Sequence, residues 1–149
     1  MGRQRQKIEM MAEFVSDTKT IPYGDETVFA ALSDLSKLEQ IKDKIPDDKI
    51  KDFTFDSDSC SFGIDPIGQV KFSVVERQPN KLVKFKSENL PFDVFLWLQL
   101  VGKHENDTKM RLTVKADLNP FMESMVSKPL KQAVDQVADL LSRLPYDKI

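Results

Sequence analysis

The sequence holds a single cysteine, Cys60, and a single histidine, His104. One thiol cannot form an intramolecular disulfide, and a lone thiol suits a reducing compartment. Neither sign of charge is in excess, because 22 basic residues stand against 24 acidic ones for a net charge of −2. A surface that balanced has little long-range pull on polyanions, so nucleic acid is not an expected partner. Long apolar runs are also missing. The longest, Val94 to Leu98, falls far short of the ~20 residues that a membrane-spanning helix needs. The basic start, Gly2 to Lys7, runs into Ile8-Glu9-Met10-Met11-Ala12-Glu13, whose acids interrupt any signal-like apolar stretch. Cytoplasmic is therefore the expected compartment. Met10 and Met11 raise an alternative start, and residues 1–11 are expected to form a poorly ordered extension. Repeats, low-complexity tracts and Pro/Gly/Ser linkers are absent, so residues 12–149 read as one domain. At this size folding buries roughly 68–70% of the unfolded chain's surface, enough for a core without metal or disulfide staples.

What is present is a clear change of period. From about Glu13 to Ile21 the chain reads as a strand that ends at Pro22-Tyr23-Gly24. Asp25 then caps a short helix carrying Val28, Phe29 and Leu32 on one face. Asp34 caps a second, with Leu35, Leu38, Ile41 and Ile45 at helical spacing before Pro46 stops it. From Ile50 to Leu118 the period becomes two. Phe53 and Phe55 share a face, as do Cys60, Phe62 and Ile64, then Val70, Phe72 and Val74, then Val83 and Phe85. Met110, Leu112, Val114, Ala116 and Leu118 alternate with Lys109, Arg111, Thr113, Lys115 and Asp117. Strands with one apolar and one polar face belong to antiparallel sheets, and the short turns between them predict a meander.

One strand departs from that alternation. In Phe92 to Val101 the core parity holds Phe92, Val94, Leu96, Leu98 and Leu100, but the outer parity also carries Phe95, Trp97 and Val101. That outer stripe is either covered by a loop, by curvature of the sheet or by the N-terminal tail, or it is a homodimer contact through Phe95 and Trp97. After it comes the best-signed element. Asn119 is a good N-cap and Pro120 suits the first helical position. Phe121, Met122, Met125, Val126, Leu130, Ala133, Val134, Val137, Leu140, Leu141 and Leu144 then form an amphipathic stripe. Pro129 falls inside it and removes one helical hydrogen bond, so a continuous but kinked helix ending near Pro145 is expected.

A strand, two short helices, six meandering strands and a long terminal helix is the element order of the helix-grip fold. From about Ala12 to Pro145 the chain resembles the START-like, or SRPBCC, superfamily of lipid carriers, polyketide cyclases and related proteins. The Asn119-Pro120 entry into the last helix, after the alternating strand Met110 to Leu118, is similar to that of many small bacterial members. The resemblance implies an α+β architecture of about seven strands curved around the C-terminal helix, and no catalytic position is carried over from it.

A curved sheet gripping one helix can leave an apolar space between the two. The inward parity nominates Phe53, Phe55, Phe62, Phe72, Phe85, Leu96, Leu98 and Leu112 as its lining, with Met122, Met125, Val126 and Val134 from the helix. Ser16, Thr18 and Glu76 are the candidate polar groups, by the parity of Phe14 and of Val74. Three functions follow as expectations. The first is non-enzymatic binding of a small hydrophobic or lipid-like molecule in that cavity, with no cofactor. The second is a cyclase- or hydratase-like enzyme in which cavity shape positions the substrate. The third is a protein-interaction module or homodimer with a filled core.

Other chemistry is poorly supported. His104 lies in Lys103-His104-Glu105-Asn106-Asp107, an expected exposed hairpin end without an orienting partner. Cys60 sits among aromatics at an inward position and reads as a small buried residue, since a reactive thiol wants an electropositive, partly exposed site. The aspartates, including Asp56, Asp58 and Asp65, lack the spacing of a Ca²⁺ loop, so no metal is expected.

Overall fold

The computed structural model describes residues 11–44, 50–64 and 68–149. Residues 1–10 of the expected N-terminal extension, Ile45 and the Pro46 stop lie outside the described residues, whereas Met11, the last residue of that extension, is buried. Strands β1 (Ala12–Val15) and β2 (Lys19–Ile21) precede helix α1 (Asp25–Ser33) and a 3-10 stretch, Leu35–Lys44. Then come β3 (Ile50–Phe55), β4 (Ser59–Ile64), β5 (Gly68–Gln78), β6 (Leu82–Ser87), β7 (Val94–His104) and β8 (Asp107–Ala116). Helix α2 (Pro120–Ser142) and a final 3-10 turn, Tyr146–Lys148, close the chain. The strands form one antiparallel sheet in the order β1-β8-β7-β6-β5-β4-β3, with β2 also paired to β8.

The sheet has eight strands because the expected first strand breaks in two. Ser16 is the cause. Its amide donates to the Leu112 carbonyl at 2.9 Å, and its hydroxyl accepts from the Leu112 amide at 3.0 Å. The side chain thus replaces a ladder partner, Asp17 and Thr18 turn out to solvent, and pairing resumes at Lys19. The second short helix is a 3-10 segment, and Asp34 does cap it, accepting from the Ser36 amide and hydroxyl at 3.2 and 2.6 Å. The first helix is capped one residue earlier than expected, at Gly24, with Asp25 in its first turn. A register shift in β5 between Val74 and Glu76 turns Glu76 to the outer face opposite Lys84, so its inward expectation fails.

Helix α2 begins as its sequence predicts, with the Asn119 side chain accepting from the Met122 amide at 2.8 Å and Pro120 in the first turn. It runs unbroken through Pro129, but its two halves are anchored differently. The buried residues Leu130, Ala133, Val134 and Ala138 all follow the proline. So do the polar ties to the sheet, Lys131 Nζ donating to the Val15 carbonyl at 2.7 Å and Asp139 facing Lys19 at 3.7 Å. Before Pro129 the described side-chain bonds are local, and Phe121 and Met125 are 74% and 58% exposed. The helix packs on β1, β2 and β8, one side of the sheet.

Two outcomes follow. Amide exchange is expected to be faster over residues 121–128 than over 130–141, and equal protection in both halves would contradict the asymmetry. A methyl group on Gly24 would lie 2.7 Å from the Glu105 carbonyl oxygen, a backbone atom in the β7–β8 turn. Gly24→Ala is therefore expected to cost about 1–3 kcal/mol in chemical denaturation, the range for overpacking.

Candidate functional site

An apolar cavity of about 90 Å³ lies between the inner face of the sheet and the C-terminal half of α2. A single water needs roughly 10–15 Å³ of such volume, so the space exceeds one or two waters, yet it is well below the ~300–1,000 Å³ of ordinary ligand pockets. Each strand from β3 to β8 contributes to the wall: Phe53, Phe55, Cys60, Phe62, Phe72, Phe85, Leu96, Leu98 and Leu112. Leu32, Leu35 and Leu38 come from α1 and the 3-10 stretch, Val137, Leu140 and Leu141 from the end of α2, and Leu144 from just beyond it. All these lining side chains are apolar, with the Cys60 sulfur the one heteroatom.

The eight sheet residues nominated by parity all line this cavity, because alternation along a strand sets a side chain's face wherever no register shift intervenes. The four helix residues do not. Val134 is buried in the core beside β1, β2 and β8, Met125 is exposed, and Met122 and Val126 are half-buried outside the lining. The helix is seated so that the next turns of its stripe face the cavity. Val137, Leu140, Leu141 and Leu144 repeat at i, i+3, i+4 and i+7, so periodicity marked them as apolar, but it does not tell which turn lies over which strand.

None of the polar candidates enters the cavity. Ser16 is buried, but its hydroxyl is used by the Leu112 amide and by the Asp17 carbonyl at 2.9 Å. Glu76 is exposed and accepts from Gln78 Nε2 at 2.6 Å. Thr18 is exposed and lines an open groove of about 870 Å³ on the other side of the sheet, beside Lys81, Lys109 and Arg111. That groove is the larger hollow, but it is open and its walls mix charged groups with apolar ones. His104 is exposed at the end of β7.

The 3-10 wall of the cavity is tied to the sheet at several points. The Phe55 amide donates to Glu39 at 2.7 Å, and the Leu35 amide to the Ser57 carbonyl at 3.2 Å. Arg77 links the Ser33 carbonyl at 2.9 Å to the Asp58 carboxylate at 2.6 Å. On the outer face Val101 is 54% exposed, but the aromatic part of the apolar stripe is not bare. Phe95 is buried, and the Lys84 and Lys86 ammonium groups lie 5.0 and 5.6 Å from its ring centre. Lys84 and Lys115 lie 5.2 and 5.9 Å from that of Trp97. Among the described residues no helix is long and apolar enough to cross a membrane. No cluster of three or more His, Cys, Asp or Glu side chains among them is placed to hold a metal ion.

No protein-family profile and no curated protein matches the sequence. Solved structures do match. A START superfamily protein from Mycobacterium smegmatis superposes with a TM-score of 0.64 at 14% identity, over 87% of this chain and 94% of that one. The fold is START-like. The same START-like architecture relates it to norcoclaurine synthase from Thalictrum flavum, solved in complex with dopamine and hydroxybenzaldehyde, with a TM-score of 0.67 at 12% identity over 97% of this chain and 92% of the other. A Thermus thermophilus protein gives 0.63 at 16% identity over 88% and 94%. Identities this low carry the fold alone, not an activity.

Burial inside this START-like cavity pushes the Cys60 thiol up to about 12 from its ordinary 9.0, with the Asp56 carboxylate adding to the effect. The folded chain therefore keeps a proton that the unfolded chain loses near pH 9. The associated stability is complete below pH 9 and is lost as pH rises towards 12. Melting temperature is expected to fall over that range, and to fall less in Cys60→Ala. Thiol labelling at neutral pH should be slow in the native protein and fast in denaturant; rapid native labelling would show an open site.

Proposed function

We propose that this protein binds a small hydrophobic molecule, without catalysis, in the cavity between its sheet and the second half of α2. The observation that carries the reading is a lining made wholly of apolar groups from each of β3 to β8 and from α2. Such a wall offers a ligand only area and shape, worth about 25 cal/mol per Å² removed from water. Any buried polar group on the ligand would lose its water partners without replacement. The START-like fold supports a cavity in this place in general.

At about 90 Å³ the space admits only a small ligand unless its walls move. A larger ligand would enter by displacing the leucines of the 3-10 stretch, a wall held to the sheet by the few hydrogen bonds through Glu39, Leu35 and Arg77. The alternative is an enzyme of the cyclase or hydratase kind, for which a relative in fold with the name of a synthase is an argument. Shape-directed catalysis still needs polar groups converging on the substrate. With Ser16, Thr18 and Glu76 turned elsewhere, binding is the better supported reading.

Mass spectrometry tests it. Protein purified gently from its own host is expected to carry extra mass under native conditions that disappears on denaturation. Leu141→Trp fills the cavity from its half-buried rim and is expected to keep the helical signal while weakening an apolar fluorescent probe by about tenfold, roughly 1.4 kcal/mol. A bare native mass together with unaltered probe binding in that variant would refute a site in this cavity.

A further inference from the structure

The two walls of the cavity are chemically different. On one side the rings of Phe55, Phe53, Phe62 and Phe72 form an unbroken chain across β3, β4 and β5. Successive centres are 5.7, 5.4 and 6.0 Å apart, and successive planes are inclined by 9°, 34° and 17°. On the other side Val137, Leu140, Leu141 and Leu144 present only branched alkyl groups. Cys60 stands in register with both Phe55 and Phe72, so a polarisable sulfur lies within the aromatic wall.

We propose that this cavity selects planar aromatic rings free of polar substituents over saturated hydrocarbons of the same size, with the phenylalanine chain of β3 to β5 as the recognising wall. The inference rests on the binding reading above and adds the ligand class to it. An alkyl wall rewards any apolar group by area alone, whereas ring faces and edges carry opposite partial charge. A further ring set offset-parallel or edge-on to them therefore gains an attraction that a saturated ring cannot. Each such contact is worth between about twofold and tenfold in affinity beyond burial. The absence of polar lining adds a second selection. A phenolic hydroxyl carried into the cavity finds no partner among the lining side chains, so hydroxylation of the inserted ring should weaken binding.

The test compares toluene, methylcyclohexane and p-cresol on the full chain by titration of the methyl resonances, with each affinity referred to the compound's own transfer from water. Toluene is expected to exceed methylcyclohexane by about fivefold or more, and p-cresol to fall below toluene. Phe62→Leu removes the ring that touches both Phe53 and Phe72, and the toluene-to-methylcyclohexane ratio should fall by about twofold or more. Should that variant unfold, Phe53→Leu, at a half-buried ring within the chain, asks the same question. Equal binding of toluene and methylcyclohexane, or a preference unmoved by the variants, overturns the aromatic selection and leaves the cavity reading standing. Binding of none of the three overturns both.

Discussion

A helix about 10 Å across cannot cover a sheet path of seven strands spaced at ~4.8 Å, which is roughly 30 Å wide. This mismatch of widths governs the rest of the structure. Helix α2 is seated at one side, where Leu130, Ala133, Val134 and Ala138 meet β1, β2 and β8. The remaining inner face of β3 to β7 must find cover elsewhere. Curvature of the sheet, the leucines of α1 and the 3-10 stretch, and the last turns of α2 supply it, and they do not close fully. The cavity is what that incomplete closure leaves.

An empty apolar space is a cost, because its walls lack dispersion partners. At ~24 cal/mol per Å³, about 90 Å³ corresponds to roughly 2 kcal/mol that a ligand or a rearranged wall would recover. Five phenylalanines and several leucines point into the space, and they reduce the cavity without filling it. The wall most open to movement is the one held by single hydrogen bonds and one arginine bracket, whereas the sheet wall is held by continuous ladders.

The outer face meets the opposite problem with a different device. Phe95 and Trp97 carry large rings where water should be, and lysines from the two flanking strands lay their ammonium groups near them. Lys84 and Lys86 on β6 and Lys115 on β8 are cross-strand neighbours of the two aromatics, so antiparallel register alone puts cation and ring together. The amphipathic lysine stem covers ring surface while its head stays hydrated.

The one-dimensional pattern determined the α+β class, the order of elements, the capped entry to α2 and the inward face of every cavity-lining strand residue. Those properties are local: a period of two or 3.6, a capping side chain and a proline each act within a few residues. The break at Ser16, the 3-10 form of the second short helix and the outward turn of Glu76 depended on partners in distant strands. So did the seat of α2 along the sheet, which placed Val137 to Leu144, and not Met122 to Val134, over the cavity. An amphipathic stripe specifies which side of a helix is buried, but it is nearly the same at every turn. Only the packing of that stripe against particular strands decided which turn lines the space and which is left exposed.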